Sequence, residues 1–483
     1  MSEILNLKPE RIWYFFNEIC KIPRPSRKEE KIAAWLVNFG KTNNLETLTD
    51  EAGNILIRKP ATKGKEHAKT VVLQSHIDMV CEKNASTVHD FEKDPIIPLV
   101  DGGWVKAKGT TLGADDGIGI AAQLAILESK DIPHGHVECL FTVDEETGLT
   151  GAFALKPDFV KGRVLLNLDS EDEGQLFIGC AGGKGTSISF SYKKESVPEN
   201  ISAFKVSVTG LKGGHSGDDI NKGLGNAVKI INRFLLNASE KYFLRISVLN
   251  GGNLHNAIAR EAFADIVIPE LNKNKFIEYA KKYQDIIKEE LRVMEPDLRF
   301  TVESAEKPAF IIDSDTQFRL LNALYACPHG VIAMTADMPE LVETSTNLAS
   351  VKTLENEILI QTSQRSSIES SKNDIACMVA SVFKLAGAKV THGEGYPGWK
   401  PNINSEILSI MKNTYIRLFD KTPKVLAIHA GLECGVIGEK YPGMDMISFG
   451  PTLRGVHSPD ERINIESVEM FWKLLVEGLN NIS

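Results

Sequence analysis

The 483-residue sequence lacks low-complexity tracts, long runs of one charge and long apolar stretches. No apolar run approaches the ~20 residues that a membrane-spanning helix needs, so a membrane position is not expected. Hydrophobic residues make up 42% of the chain and charged residues 25%, which is typical of a soluble globular protein. The length exceeds what a single core supports and therefore predicts two domains, or one domain with a large insertion.

Cysteine is also scarce. The seven cysteines are odd in number, far apart and never in a C-x-x-C pair, so neither a disulfide framework nor a thiolate zinc site is expected. The first residues, MSEILNLKPERIWYFF, contain no basic segment before an apolar run and predict a helix start instead of a signal peptide. These features predict a reducing compartment, the cytoplasm.

Positive charge is not in excess, because the formal net charge is −9 and lysines and arginines are interspersed with acidic residues. A nucleic-acid partner is therefore not expected. The segment GCAGGKGTS superficially resembles a phosphate loop, but Lys184 is followed by Gly185 where that loop requires serine or threonine. This order argues against a nucleotide-binding protein.

Short apolar runs alternate with helical patterns over the first 185 residues and again over the last ninety, which predicts an α/β fold. The middle of the chain contains further strand and helix patterns. No linker rich in glycine, serine or proline marks a domain boundary.

Side chains that commonly bind metals follow directly after several of the strand-like runs. VVLQSHID ends on His76 and Asp78, CLFTVDEETG on an acidic cluster, LLNLDSEDEG on Asp169, and MISFGPTLRGVHSP leads to His457. In TTLGADDGIGIA, Asp115 precedes an apolar helical run. Ligands bind at the carboxyl ends of strands in open α/β sheets, so these loops could converge on one crevice.

Two histidines with three carboxylates form a ligand set that hydrolytic zinc favours, and carboxylates can bridge two ions. Two metals about 3.5–4 Å apart could hold a water as hydroxide and polarise a carbonyl. The acidic pair Glu145 and Glu146 could then divide its roles, one coordinating and one transferring protons. Taken singly, each motif has a plain structural alternative, such as a buried histidine or a helix-capping carboxylate.

The ordered set of motifs resembles the zinc-dependent M20 peptidases from the N-terminal helix to the C-terminus, and among them the bacterial enzymes that cleave aminoacyl-histidine dipeptides. The long segments GCAGGKG, KGGHSGDDINKG, GGNLHNAIAREAF and IHAGLECG carry the likeness to that subgroup. The resemblance implies a zinc-peptidase catalytic domain (residues 1–186 and 391–483) with an inserted α+β lid and dimerisation domain (187–390). Substrate would bind in the cleft between them. The resemblance implies a homodimer, and the duplicated look of the middle segment leaves a monomer as the alternative.

The resemblance also implies site roles. Asp115 bridges two Zn²⁺ ions, for which Mn²⁺ or Co²⁺ could substitute; Glu146 and His457 complete one site, and His76 and Asp169 the other. Glu145 is the general base for a zinc-bridged hydroxide, and Asp78 orients the His76 ring.

Further roles are implied for residues that contact the substrate. His215 stabilises the oxyanion, from its own or a partner subunit, and Arg365 binds the terminal carboxylate. Asn256 binds the oxyanion or the carboxylate, and Glu433 contacts the substrate. Ala259 occupies a position where the family usually has proline.

The implied reaction is hydrolysis of unblocked dipeptides, including Xaa-His and β-alanyl-histidine. A tripeptidase, an N-acyl-amino-acid hydrolase or a carboxypeptidase with the same metal centre stays an alternative. A catalytically dead relative is a weaker alternative, because all the ligand and base positions are filled.

Overall fold

The computed structural model describes residues 3–483 and divides into two compact units. Of the described residues, the first unit comprises 3–180, Trp399–Ala427 and Leu432–Ser483, and the second comprises Ala181–Gly398 and Ile428–Gly431. The first unit is therefore discontinuous in sequence, with the second inserted into it.

The helices and strands are numbered along the chain. After a 3₁₀ helix at Glu3–Asn6, the elements up to residue 180 are α1 (Glu10–Cys20), α2 (Glu30–Thr42), β1 (Glu46–Thr49), β2 (Ile55–Lys59), β3 (Val71–His76), β4 (Pro98–Asp101), β5 (Trp104–Ala107), α3 (Ala114–Glu128), β6 (Val137–Thr142), α4 (Glu145–Gly148), α5 (Thr150–Ala154), β7 (Val164–Asn167) and β8 (Gln175–Cys180). The following elements are β9 (Gly182–Ser191), β10 (Lys194–Glu195), β11 (Ile201–Thr209), α6 (Ala227–Tyr242), β12 (Arg245–Gly251), β13 (Ala262–Pro269), a 3₁₀ helix (Glu270–Asn272), α7 (Lys273–Leu291), β14 (Arg299–Ser304), β15 (Ile311–Ile312), α8 (Ser314–Ala326), β16 (Gly330–Met334), β17 (Val342–Thr353), β18 (Glu357–Ser366), α9 (Glu369–Leu385) and β19 (Lys389–His392). The last part of the chain forms α10 (Glu406–Phe419), β20 (Lys424–Ile428), α11 (Glu433–Lys440), β21 (Asp445–Ser448), β22 (Leu453–Arg454), β23 (Arg462–Asn464) and α12 (Ile465–Asn481).

The first unit is built on an eight-stranded sheet in the order β1-β2-β6-β3-β7-β21-β8-β20. Its centre is parallel, because β3 pairs in parallel with both β6 and β7, and β7 pairs in parallel with β21. Every residue of β3, β6 and β7 is buried, as expected for central parallel strands covered on both faces. The carboxyl ends of β3, β6 and β7 therefore lie side by side at one edge of the sheet.

A second, four-stranded sheet in the first unit runs in the order β22-β23-β5-β4, with antiparallel neighbours. It joins residues near 100 with residues near 460, which are distant in sequence. The segment between β22 and β23 carries His457, so this sheet fixes the two ends of that loop.

The second unit contains an internal duplication. Elements β11-α6-β12-β13-α7-β14 form a βαββαβ lobe, and β9-α8-β17-β18-α9-β19 form another of the same order. The two lobes join at β12 and β17 in one antiparallel sheet, β14-β11-β13-β12-β17-β18-β9-β19, to which β16 adds beside β17. The strand order in each lobe, counted outward from this junction, is second, third, first, fourth.

One hydrophobic core runs through both lobes of the second unit. Phe204 and Val206 of β11 pack with Phe234 of α6 and Phe276 of α7, and Ile360 of β18 belongs to the same buried cluster. The helices of both lobes contribute to this core together with the strands of the shared sheet, so helices and sheet pack as two layers.

The predicted fold class is confirmed: an α/β unit carries an inserted, largely antiparallel α+β unit. The lid and dimerisation roles assigned to the insertion stay predictions. Among residues 3–483, no helix is both long and apolar enough to cross a membrane.

Candidate metal centre

The residues predicted to bind metal meet where the central strands of the first unit end. His76 is the last residue of β3, Glu145 and Glu146 begin the one-turn helix α4 after β6, and Asp169 lies just past β7. Because these strands are parallel neighbours, their ends present these side chains to the same region.

Asp115 lies between the two predicted histidine ligands. Its Oδ1 atom is 3.0 Å from Nε2 of His76, and its Oδ2 atom is 3.2 Å from Nε2 of His457. His76 Nε2 also lies 3.4 Å from Oδ1 of Asp169, and His457 Nε2 lies 3.0 Å from Oε2 of Glu146. The five side chains thus form two groups of three that share Asp115.

These two groups fit a pair of divalent ions. Atoms bound tetrahedrally at about 2.0–2.1 Å from one ion lie roughly 3.3 Å from each other, and the four contacts span 3.0 to 3.4 Å. Imidazole nitrogen and carboxylate oxygen are donors that zinc and related ions accept. Each oxygen of Asp115 can serve a different ion, as a bridging carboxylate does.

Electrostatics within the cluster favour the same interpretation. Burial raises the pKa of Asp169 well above its usual range. The Asp115 and Glu146 carboxylates raise the pKa of His457 to about 11. The charged form of Asp169 is therefore disfavoured in the protein alone, and a bound cation beside it would stabilise that form.

Asp78 connects His76 with the acidic pair. Its Oδ1 lies 3.3 Å from His76 Nδ1, and it accepts hydrogen bonds from the backbone N–H of Glu145 (3.0 Å) and of Glu146 (3.2 Å). Burial opposes ionisation of Asp78, but the bonds with His76, Ser26 and the backbone lower its pKa to about 2. A charged Asp78 is therefore placed to orient both the imidazole and the loop that carries Glu145.

Glu145 itself is half-buried beside other acids. Burial raises its pKa well above the usual range, and the charges of Asp169 and Glu433 act in the same direction. One of its oxygens also approaches ligand atoms of His76 and Glu146, which brings it next to the candidate ligands.

Glu433, the first residue of α11, is fully buried in the same unit. Its Oε2 accepts hydrogen bonds from Thr142 (2.7 Å) and from Gln74. Its Oε1 has no hydrogen-bond partner among residues 3–483. Burial raises the pKa of Glu433 to about 7. This half-satisfied carboxylate is suited to a cationic or hydrogen-bond-donating ligand.

The other three predicted site residues belong to the second unit. His215 Nε2 lies 3.4 Å from Nη2 of Arg365, and the Arg365 Nη1 atom donates a hydrogen bond of 3.0 Å to Tyr396 Oη. Asn256 is exposed, and its backbone carbonyl accepts a hydrogen bond from Ser216 N at 2.9 Å. The two lobes thus bring His215 and Arg365 together within one chain.

Comparisons with known proteins identify the family of this chain. The sequence model of "Peptidase family M20/M25/M40" matches residues 72–481, which is most of the chain. The chain belongs to peptidase family M20/M25/M40. This family is metal-dependent, and the two acidic–histidine groups are where this member could hold its ions.

Two relatives match this M20 peptidase over its full length. The cytosol non-specific dipeptidase of Escherichia coli is 47% identical over 485 aligned residues, covering 100% of this chain and 99% of the relative. The crystal structure of aminoacylhistidine dipeptidase from Vibrio alginolyticus superposes with a TM-score of 0.94 at 45% identity, covering 100% and 98% of the two chains. A tripeptidase from Staphylococcus aureus, at 17% identity and a TM-score of 0.58, shares the fold.

Two further residues contact the candidate centre of this M20 peptidase and were not predicted from sequence. Arg24 and Glu461 are buried, and both bond to the backbone around Gly113 and Asp115. Their partners lie from about fifty to nearly 350 residues away in sequence, and no local motif relates them.

Glu29 and Asp144 form a separate acidic group with Asp78. The oxygens of this group accept hydrogen bonds from backbone amides and from Thr147, Thr150 and Ser26. These donors give the group a structural role in holding the loops at the strand ends.

Proposed function

We propose that this chain is a dipeptidase that works with two divalent metal ions, held by His76, Asp115 and Asp169 on one side and by Asp115, Glu146 and His457 on the other. The observation that carries the proposal is the Asp115 carboxylate, whose two oxygens face two different histidines. Full-length similarity to a dipeptidase and to an aminoacylhistidine dipeptidase supports the substrate class.

When bound, the ions would supply Lewis acidity for the peptide carbonyl and lower the pKa of a water at the site. We propose Zn²⁺ as the native ion, with Mn²⁺ and Co²⁺ as substitutes, since nitrogen and carboxylate donors accept all three.

Within this proposal, Glu145 takes the proton from the attacking water and delivers it to the leaving amine. Its position supports the role: the Glu145 backbone N–H is fixed by Asp78, and its carboxylate approaches the ligand atoms of His76 and Glu146. Asp78 would hold the His76 ring in one orientation while it holds the Glu145 backbone.

The substrate contacts follow from charge. A dipeptide carries an ammonium group at one end, which the unpartnered Oε1 of Glu433 could accept, and a carboxylate at the other. Arg365 is proposed to bind that carboxylate. His215, whose Nε2 lies 3.4 Å from Nη2 of Arg365, is proposed to stabilise the oxyanion. Asn256 is proposed to add a hydrogen bond to the same substrate.

We also propose that Xaa-His dipeptides, including β-alanyl-histidine, are among the substrates. The protein would act in the cytosol, as the name of the Escherichia coli relative indicates for that protein. A homodimer is proposed as the assembled form.

The test is hydrolysis of a small panel by chelator-treated protein before and after addition of Zn²⁺, Mn²⁺ or Co²⁺. The panel contains free dipeptides, their C-terminal amides, tripeptides and N-acyl amino acids. Metal-restored cleavage of free dipeptides, with amides cleaved more slowly because Arg365 has lost its partner, supports the proposal. Faster cleavage of tripeptides or of N-acyl amino acids would replace it with one of those activities.

A further inference from the structure

Glu461 lies four residues after His457, in the segment between β22 and β23, and its side chain is 2% exposed. Its carboxylate accepts hydrogen bonds from consecutive backbone amides on the loop that carries Asp115. Oε2 accepts from Leu112 N (2.7 Å) and Gly113 N (3.0 Å), and Oε1 accepts from Ala114 N (2.7 Å) and Asp115 N (3.4 Å). One side chain thus binds four successive peptide groups.

These amides lie where the loop leads into α3; Asp115 and Asp116 have non-helical backbone angles, so the regular helix starts after them. The Glu461 carboxylate accepts from these N–H groups, each of which would otherwise need another acceptor. An uncharged side chain could not do the same, because an amide nitrogen facing two N–H donors would leave both without an acceptor.

The opposite side of the same loop is held by Arg24. This buried guanidinium donates to the carbonyl oxygens of Gly113 and of Ile77 (3.1 Å) and Asp78 (2.5 Å). Gly113 has φ +70, and a Cβ there would lie 2.7 Å from the Arg24 Nη2 atom. The peptide groups on either side of Gly113 are therefore fixed from both faces, which leaves Asp115 little freedom to move.

Glu461 is also tied to the other end of the candidate centre. The backbone N–H of Glu461 bonds to the Ser458 carbonyl at 3.1 Å, and the Ser458 hydroxyl bonds to the Gly455 carbonyl at 2.6 Å. His457 lies inside this turn with a left-handed φ of 61. A displacement of Glu461 would therefore move the His457 loop and the Asp115 loop together.

From these contacts we infer that Glu461 is a positioning residue, which sets the distance between Asp115 and His457 and so the affinity of the paired metal site. The inference rests on the proposed metal centre. It assigns Glu461 no contact with substrate and no part in proton transfer.

The experiment compares Glu461→Gln and Glu461→Asp with a matched control, Glu138→Gln. Glu138 is likewise 2% exposed in the first unit, and its carboxylate accepts from two backbone amides, Lys161 N and Gly162 N, both at 2.8 Å. It lies near the start of β6, away from the predicted ligands at the strand ends. Zn²⁺ affinity is measured on folded, chelator-treated protein by competition with a chromophoric chelator, and Tm is recorded in parallel.

Glu461→Gln is expected to weaken Zn²⁺ binding about 10–100-fold, the range found for residues that orient metal ligands. Glu461→Asp keeps the charge but is one methylene shorter, so an intermediate loss is expected, and this variant carries the test if Glu461→Gln does not fold. Glu138→Gln is expected to lower Tm and to keep wild-type Zn²⁺ affinity.

Wild-type affinity in both Glu461 variants, or an equal loss of affinity in the Glu138 variant, would overturn the inference. The wild-type titration separates this failure from that of the metal centre itself. If the wild type takes up no pair of ions, the proposed function fails; if wild type and Glu461 variants bind the pair equally, only the positioning role fails.

Discussion

Adjacent acidic residues of this chain have separate surroundings. Asp115 faces two imidazoles, whereas the neighbouring Asp116 is buried and accepts a hydrogen bond from Gly119 N at 3.1 Å. In the same way, Glu146 contacts His457, whereas the Glu145 carboxyl group is influenced by the negative charges of Glu433 and Asp169. Two side chains of one type can therefore take different chemical roles because the backbone turns them to different partners.

The pair Glu145 and Glu146 offers a direct test of such a division. We expect Glu145→Gln to lower kcat by a factor of about 10²–10⁴, the usual contribution of a general base, and to retain both metal ions. Glu146→Gln is expected to lose metal, because Glu146 contacts His457 at 3.0 Å. Metal content by elemental analysis and kcat on a free dipeptide measure both effects. Metal loss in Glu145→Gln would show that Glu145 is a ligand.

The sequence predicts the candidate site residues that follow strands, but not the residues that contact the site from far away along the chain. His76 and Asp169 could be proposed because each comes at the end of a strand-like run, His76 as the last residue of β3 and Asp169 just past β7. Glu461 could not, because its partners Leu112 and Gly113 lie nearly 350 residues earlier and are bonded through backbone atoms, which leave no side-chain pattern. Arg24 was not predicted for the same reason, because its partners are backbone carbonyl groups distant in sequence.

At the scale of single elements, the start of α3 shows what a helical pattern can and cannot predict. The apolar run beginning at Gly117 predicts the helix, and Asp115 and Asp116 have non-helical backbone angles, so the predicted loop-to-helix junction is confirmed. The left-handed Gly113 just before it is required by close contact with Arg24 and Met79, which the local sequence does not reveal.

His429, in the short segment Ile428–Gly431, is expected to make the stability of the protein depend on pH. His429 is buried, and its Nε2 lies 2.7 Å from the Ser345 hydroxyl; burial and the nearby charge of Arg365 lower its pKa to about 4. Its ordinary pKa is 6.5, so between these values the unfolded chain binds the proton and the folded chain does not. The contribution of His429 to the free energy of unfolding is therefore complete above pH 6.5 and is lost as pH falls towards 4.

When the pH is lowered from roughly 7.5 to 5, we expect the free energy of unfolding of the wild type to fall by about 2 kcal/mol more than that of His429→Gln. Urea unfolding at each pH measures this difference. His67→Gln serves as the control, because His67 is exposed. Equal losses in the wild type and His429→Gln would contradict a neutral, buried His429.

The whole molecule combines one α/β unit with an inserted unit made of two βαββαβ lobes. Several strands and helices of the insertion, and a duplicated look of the middle segment, could be predicted from the sequence, but not how the two copies are arranged. The first lobe is inserted between β9 and α8 of the second, so the two copies are not consecutive in the chain. The strand order of the sheet shows that β12 and β17 are equivalent strands and that they join the lobes.

This arrangement bears on the assembled form. His215 follows β11 of one lobe, Arg365 lies on β18 of the other, and the two side chains are 3.4 Å apart within a single chain. A homodimer, which we propose, is therefore not needed to bring this pair together.

The central claim is that two ions share Asp115, and metal stoichiometry of folded variants tests it most directly. The wild type is expected to bind two equivalents of Zn²⁺ per chain. His457→Ala is expected to lose one of them, because His457 contacts only one of the two groups, and Asp115→Ala to lose both. If Asp115→Ala instead keeps one full-affinity ion, Asp115 belongs to a single site and the bridged pair is wrong.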